Sequence, residues 1–295
     1  MNHEYYSSQT GHIAGRYGRT WYQLFGKKRS DAVVFIHGGP GSSHFSGLPL
    51  RALSREIPVL FYDQIGCGLS DRPKGTAFAK LSTFGDELEL IRRTLGITRL
   101  HLIGHSWGAV IAATYWKHHA RHVQSIVFSS PLLSTRKWEE DAKLLCAKLP
   151  ETARSAIAKA NRSQRFHSPE FRRATQLHFR RHVFRRKEFS PEMQISAFNE
   201  TLYHRLWGPS EFLCTGSLKR FNAEPILRTI DVPTMFLRGE HDEVMKDTLS
   251  SFAQLVPKSQ LKTLAGCSHL GYQEEPVAYL QAIRGFYQKR KRANR

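Results

Sequence analysis

Leu100-His101-Leu102-Ile103-Gly104-His105-Ser106-Trp107-Gly108-Ala109-Val110-Ile111-Ala112-Ala113 is the stretch that decides the fold. Its first four residues form an apolar run that suits a buried strand of a parallel sheet. The small and apolar residues after Gly108 can open a helix packed on that sheet. Between them, Gly-x-Ser-x-Gly marks a sharp strand-to-helix corner, which forces the serine into a strained turn and lifts its hydroxyl above the sheet edge. Glycine flanks the serine because a Cβ at either position would strike the neighbouring strand or helix. The helix N-terminus just behind supplies unpaired N–H groups and a positive dipole end, suited to a developing oxyanion. Ser106 is therefore the candidate nucleophile.

Working outward, strand-like and helix-like segments alternate up to residue 128. Thr20 to Phe25 reads as an early strand and Lys27 to Asp31 as a polar turn. Ala32 to Ile36 is a buried strand that runs into His37-Gly38-Gly39-Pro40-Gly41. A helix is predicted over Ser43 to Glu56 and a strand over Val59 to Tyr62. Apolar residues at helical spacing (Phe84, Leu88, Ile91, Leu95) predict an amphipathic helix over Thr83 to Leu95. After the serine corner the helix runs to about Ala120, and Val123 to Phe128 is another strand. This alternation predicts a mostly parallel, doubly wound α/β sheet.

From about Leu133 to Lys219 the sequence is charged and helix-like, without a convincing buried strand, and reads as a helical lid inserted over the strand ends. Alternation resumes at Val232 to Arg238, with a last strand at Gln260 to Leu264 and a closing helix over Pro276 to Lys289. The predicted organisation is a core of residues 1–132 and 221–295, with a basic C-terminal tail, interrupted by a lid of residues 133–220.

A serine hydroxyl needs a base within reach, and that base needs a carboxylate to orient it. In this topology the acid follows a late strand and the histidine follows the last one. Asp242 and His269 occupy those positions, both in glycine-containing loops at the edge that carries Ser106. Fifteen histidines make position the only useful guide; His118, His119 and His122 read as surface residues or helix ends. His241 competes for the base and Glu240 for the acid. The oxyanion donors are expected to be the N–H of Trp107 and that of Gly39, where glycine lets the backbone face a substrate. The glycines of that loop also serve the turn itself.

Bulk properties set the bounds. The chain has 295 residues, 40% of them hydrophobic and 11% aromatic, enough for a sizeable core. No run approaches the ~20 apolar residues of a membrane span. Met1-Asn2-His3-Glu4-Tyr5-Tyr6 carries neither a basic n-region nor an apolar h-region, so no secretory signal is read there. Cys67, Cys146, Cys214 and Cys267 lie far apart, as free thiols of a reducing, cytoplasmic setting rather than a zinc site or disulfide framework. The formal charge of +19 suggests non-specific attraction to anionic partners. It gathers between Arg154 and Lys187 (Arg162, Arg165, Arg172, Arg173, Arg180, Arg181, Arg185, Arg186) and in the tail from Lys289 to Arg295. The simpler reading is a solvated helical face and a frayed tail, and no zinc-finger, RNP or KH pattern is present.

At these residues the chain resembles the proline iminopeptidase family of α/β-hydrolases. The likeness rests on His37-Gly-Gly-Pro-Gly41, Asp63-Gln-Ile-Gly-Cys-Gly-Leu-Ser70, Gly104-His-Ser-Trp-Gly108, Gly239-Glu-His-Asp-Glu-Val244 and Gly266-Cys-Ser-His269. It spans most of residues 20 to 287. It implies a serine aminopeptidase that removes N-terminal proline, or other small or apolar residues, from short peptides. Ser106, Asp242 and His269 would be its triad, and Gly39 and Trp107 its oxyanion donors. The segments Asn199-Glu200-Thr201, Gly208-Pro209-Ser210-Glu211-Phe212 and Thr215-Gly216-Ser217-Leu218-Lys219 are similar to the lid of the tricorn-interacting-factor branch. There, a lid glutamate and the glutamate after the catalytic aspartate hold the free amino group; the matching positions are Glu211 and Glu243. An α-ammonium needs carboxylate acceptors, and such charge-assisted bonds can select unblocked N-termini. No cofactor or metal is expected. The basic middle of the lid departs from the family pattern. Two rivals remain: an esterase or amidase of the same fold that ignores the free amine, and a basic nucleic-acid- or membrane-associated protein with weak activity.

Overall fold

The computed structural model describes residues 8–27, 29–194 and 198–293. The readings over Met1–Tyr6, at Lys28 and at Asn294-Arg295 lie outside the described residues. One eight-stranded sheet organises the chain: β1 (Ser8–Gly15), β2 (Gly18–Phe25), β3 (Asp31–Ile36), β4 (Val59–Tyr62), β5 (Arg99–His105), β6 (Val123–Ser129), β7 (Thr234–Gly239) and β8 (Ser259–Leu264). Their spatial order is β1-β2-β4-β3-β5-β6-β7-β8. β1, β2 and β4 pair antiparallel, and every pair from β4 through β8 is parallel. The α/β class is as the alternation predicts. β1 is an addition that hydrophobic patterning misses, because Ile13 is its only buried residue.

Successive side chains of a strand point to opposite faces. Val34, Ile36, Leu100 and Leu102 enter one core cluster, while Val33, Phe35, Ile103 and Val127 enter another. Both faces are covered, so the central strands read as continuous apolar runs. The first face is covered by α1 (Leu81–Thr94) and α2 (Trp107–His119). Against the second lie the segment His44–Arg55 and α11 (Pro276–Ala293). The helix predicted over Ser43 to Glu56 is a 3-10 helix over His44–Arg55. Pro49 removes one N–H from it, and at Gly47 a Cβ would stand 2.1 Å from Phe35 Cε1. α11 runs four residues past its predicted end.

Strand order reverses beside β3. The chain leaves β3 toward β4 on one side and returns through α1 to β5 on the other. The loops after β3 and β5 therefore diverge to opposite faces and leave a crevice at their C-terminal ends, where ligands bind in open α/β sheets. Over that edge lie α3 (Thr135–Cys146), α4 (Glu151–Ser163), α5 (Pro169–His178), α6 (Pro191–Gln194) and α7 (Glu200–Leu206). α4 and α5 pack on one another around Ile157, Phe166 and Phe171, which belong to a separate small core. The short α8 (Glu224–Leu227) leads back to β7; α9 (Lys246–Ala253) and α10 (Gly271–Glu274) complete the chain. Among the described residues no helix is long and apolar enough to cross a membrane.

Candidate active site

Ser106 sits between β5 and α2 with φ 52° and ψ −117°, a region that L-residues occupy only when their surroundings impose it. Close backbone approach imposes it here. A Cβ on Gly104 would stand 2.6 Å from Gly108 O, and one on Gly108 would stand 2.0 Å from Ile36 O. The Ser106 N–H donates to Ser129 O (3.0 Å), and its carbonyl accepts from Ala109 and Leu132. The neighbouring Trp107 is the first residue of α2, so its N–H has no acceptor within the helix.

His269 and Asp242 meet as the topology predicts. His269 Nδ1 lies 2.8 Å from Asp242 Oδ1. Asp242 also accepts from Ser130 Oγ (2.6 Å), Gly239 N (3.1 Å) and Val244 N (3.4 Å). Burial alone would raise the Asp242 pKa, but the imidazole of His269, the Ser130 hydroxyl and Arg238 outweigh it, and the carboxyl sits below its ordinary range. Burial would likewise lower His269; Asp242, then Glu243 and Glu211, outweigh it and hold the ring above the ordinary histidine value. His269 and Ser106 line one cavity of about 280 Å³. The competitors fall away: Glu240 is exposed and accepts from Gly266 N, and the His241 ring faces solvent.

The loop after β3 lines the same cavity beside Ser106. Gly39 has φ +114°, and a Cβ on Gly38 would touch Ser106 Cβ at 3.2 Å; both glycines line the cavity. Burial pushes the His37 ring down to about 4, so it is neutral near pH 7. Its Nε2 accepts from Gln64 N (3.1 Å) and its Nδ1 donates to Gly38 O (3.0 Å). Gln64 then donates to His37 O (2.9 Å) and accepts from Trp107 Nε1 (2.7 Å). The two loops that carry the candidate oxyanion donors are thus cross-tied through one buried glutamine.

Two more carboxylates reach the same cavity. Glu211 accepts from Tyr203 Oη at 2.6 Å. Glu243 Oε1 lies 3.0 Å from His178 Nε2, and Glu243 Oε2 lies 3.7 Å from His269 Nδ1. Burial and the charge of Glu243 raise Glu211 well above the ordinary carboxylate range. Glu243 moves the other way: burial is outweighed by the His178 bond and the nearby His269. The two carboxyls thus shift in opposite directions, Glu211 up and Glu243 down. Among the described residues no group of three or more His, Cys, Asp or Glu is arranged to hold a metal ion.

Comparison with known proteins bears on this geometry. A family model described as alpha/beta hydrolase fold matches residues 31–276. The proline iminopeptidase of Heyndrickxia coagulans is 38% identical over 274 residues, which cover 91% of this chain and 95% of that protein. The chain belongs to the proline iminopeptidase family of α/β-hydrolases. A second relative, the proline iminopeptidase of Saccharolobus solfataricus, is 32% identical over 90% of this chain and 88% of its own length. Among solved structures, VinJ matches with a TM-score of 0.89 at 30% identity, covering 95% of this chain and 98% of its own. The proline iminopeptidase of Mycobacterium smegmatis matches with a TM-score of 0.85 at 28% identity, over 98% and 100% of the two chains.

Several residues that support this family site carry no role in the sequence reading. Asp63, fully buried, accepts from His44 N (2.7 Å) and Leu69 N (2.8 Å), and a Cβ on Gly68 would fall 2.1 Å from its Oδ2. The Asp63–Ser70 motif is thus a folded brace behind the Gln64 tie. Ser130, at φ 46°, ends β6 at the same edge as Ser106, and only that placement hints at it. Glu274 holds the His269 loop through Ser268 N (2.5 Å) and Ser268 Oγ (2.8 Å). Among the described residues six histidines are buried: His37, His44, His101, His105, His178 and His269. Histidine is therefore far more structural here than the surface reading of its helix-end members conveys.

Proposed function

We propose that the chain is a serine aminopeptidase that releases N-terminal proline, or another small apolar residue, from short peptides. The observation that carries the reading is one cavity lined together by Ser106, His269, Glu211 and Glu243. A carbonyl presented to the serine is one bond pair away from its own α-nitrogen. A carboxylate pair in the same cavity can hold that nitrogen as an ammonium. Proline offers a secondary ammonium with two N–H donors, one for each glutamate. Trp138, Phe179, Tyr203 and Trp207 supply apolar walls for the ring.

In this mechanism Ser106 Oγ attacks the carbonyl of the first residue while His269 Nε2 takes its proton. Asp242 fixes the imidazole through Nδ1 and stabilises the imidazolium. The N–H groups of Trp107 and Gly39 receive the oxyanion. The tetrahedral intermediate collapses as His269 passes its proton to the departing peptide amine, leaving an aminoacyl ester on Ser106. Water, deprotonated by His269, then releases the amino acid.

The partner in this reading is a short peptide or aminoacyl compound with a free N-terminus. Residues 133–220 act as the lid, and residues 1–132 and 221–295 as the catalytic core. Four free thiols fit a cytoplasmic setting. The basic lid and tail supply a non-specific, salt-sensitive attraction for anions. The test is a panel of aminoacyl p-nitroanilides run beside N-acetylprolyl p-nitroanilide. The free prolyl substrate is expected to turn over at least a hundredfold faster than its acetylated form. Ser106→Ala is expected to lose about 10⁴-fold or more in kcat. Equal rates on free and acetylated substrates would give the chain to the esterase reading.

A further inference from the structure

The last turn of α5 and the five residues after it touch the candidate triad loops at several points. Phe179–Val183 forms a π-turn, closed by Phe184 N donating to Phe179 O at 2.9 Å. Such wide turns re-aim neighbouring groups and occur often at functional sites. Its carbonyls serve the loop of the base: His269 N donates to His182 O (3.0 Å) and Leu270 N to Val183 O (3.1 Å). His182 Nδ1 in turn donates to His241 O (2.9 Å), in the loop of the orienting acid.

His178 is the last residue of α5, only 2% exposed. Its Nε2 faces Glu243 Oε1 at 3.0 Å, and its Nδ1 meets no hydrogen-bond partner among the described residues. Facing a carboxylate, Nε2 carries the proton and donates. The ring is wedged beside Phe212 and His182, each with a centroid 5.0 Å away, so it cannot swing away without repacking the lid. A buried donor with one acceptor, on a rigid seat, fixes where that acceptor points. Burial would push the Glu243 carboxyl toward its neutral form; the bond from His178 is the first influence that offsets it.

We propose that His178 is a positioning residue for amine recognition: it aims Glu243 into the cavity, so that the grip on a substrate N-terminus is complete only when the α5 end of the lid is seated on the core. The inference rests on the reading of Glu243 as an acceptor for the α-ammonium. One Glu243 oxygen is committed to the lid through His178, and the remaining lone pairs are left for the substrate. The substrate ammonium is bound in both the ground state and the transition state, so loss of the aim weakens both alike and raises KM more than it lowers kcat.

The experiment measures KM and kcat on prolyl p-nitroanilide for wild type, His178→Ala, His178→Gln, Glu243→Gln and the double variant H178A/E243Q. Active sites are counted by a small uncharged phosphonate that labels Ser106, so misfolded protein does not enter kcat. His178→Ala is expected to raise KM about tenfold while kcat falls less than about threefold. His178→Gln, whose amide can place a donor near the lost Nε2, restores most of the KM. The double variant is no worse than Glu243→Gln alone, because the histidine acts through that carboxylate. An unchanged KM in His178→Ala, or an equal additional rise in the Glu243→Gln background, would overturn the proposal while leaving the amine grip standing. If Glu243→Gln itself leaves KM and the preference for unblocked substrates unchanged, the amine grip fails, and the role of His178 fails with it.

Discussion

The two halves of the candidate site are held by different physics. On the sheet edge, loops 37–43, 63–70 and 104–108 interlock through close backbone approach and through buried hydrogen bonds made by Gln64, His37 and Asp63. Gly104 and Gly108 admit no Cβ, and Gln64 ties His37 O to Trp107 Nε1. The half built on residues 133–220 reaches the cavity with side chains, Glu211 with Tyr203 and His178 with Glu243, while its carbonyls at His182 and Val183 hold the loop of His269. In the proposed mechanism the first half fixes the groups that would move charge in the transition state, and the second fixes the groups that would grip the substrate. The contrast leads to a simple expectation: damage to the first half appears in folding and kcat, damage to the second in KM.

The hardest blow falls on the interlock. In Gly108→Ala the new methyl would stand 2.0 Å from Ile36 O, with Ile36 C at 2.8 Å and His37 O at 3.0 Å. All three are backbone atoms, with no flexible tip to give way, so β3 and α2 must part. A loss of more than about 4 kcal/mol is expected, outside the range of ordinary surface substitutions. Urea unfolding followed by circular dichroism checks it; a folded variant with wild-type midpoint would break the backbone half of the comparison.

That half was also the half legible in the sequence. A strained corner demands glycine at fixed offsets, and Gly104-x-Ser106-x-Gly108 states the demand within five residues. Likewise strand order pointed to the loops of Asp242 and His269, because each follows its strand within a few positions, while Glu240 and His241 beside Asp242 stayed as competitors. The lid ties could not. His178 and Glu243 are 65 residues apart, and no periodicity links the end of one helix to a distant loop. Ser130 and Gln64 were unreadable for the same reason: their roles rest on hydrogen bonds to distant partners, among them Asp242 and Trp107, 112 and 43 residues away. Edge strand β1 went unread because five of its eight residues are exposed, so it carries no alternating pattern. The family likeness supplied Glu211 and Glu243 but was silent on what aims them.

Gln64→Ala gives a more graded test of the interlock. It deletes the acceptor for a buried indole N–H and the donor to His37 O, leaving two buried groups unsatisfied at about 1–3 kcal/mol each. The oxyanion loop loses its fixed distance from Trp107, while the carboxylate grip is untouched. A fall of about tenfold to hundredfold in kcat with KM changed less than threefold is expected. Steady-state kinetics on prolyl p-nitroanilide decides it. A variant that changed KM alone would put the loop with the grip and erase the distinction between the halves.

The smallest effect is a gain, and it comes from the lid half. Glu211 is pushed above the ordinary carboxylate range, first by burial and then by the charge of Glu243. A carboxyl whose folded pKa is raised takes up protons more readily when folded than when unfolded. Folding stability therefore drops as pH rises from the unfolded value of about 4.3 through the folded one, and the cost is full above it. Glu211→Gln removes that cost and keeps an acceptor for Tyr203. At pH 8 the variant is expected to melt about 2–4 °C higher than wild type. Near pH 4 the difference should vanish, since Glu211 is then protonated in both folded and unfolded chains. At pH 8 KM for prolyl p-nitroanilide should also be about tenfold higher in the variant, because an amide offers the ammonium no charge, and that difference should shrink as pH falls and Glu211 is protonated. A site that trades stability for a grip on the substrate must show both changes in one protein. Scanning calorimetry at the two pH values separates the outcomes. A lower melting temperature at pH 8 would mean that the lid stabilises the Glu211 charge rather than straining against it, and the second half of the site would then be as pre-braced as the first.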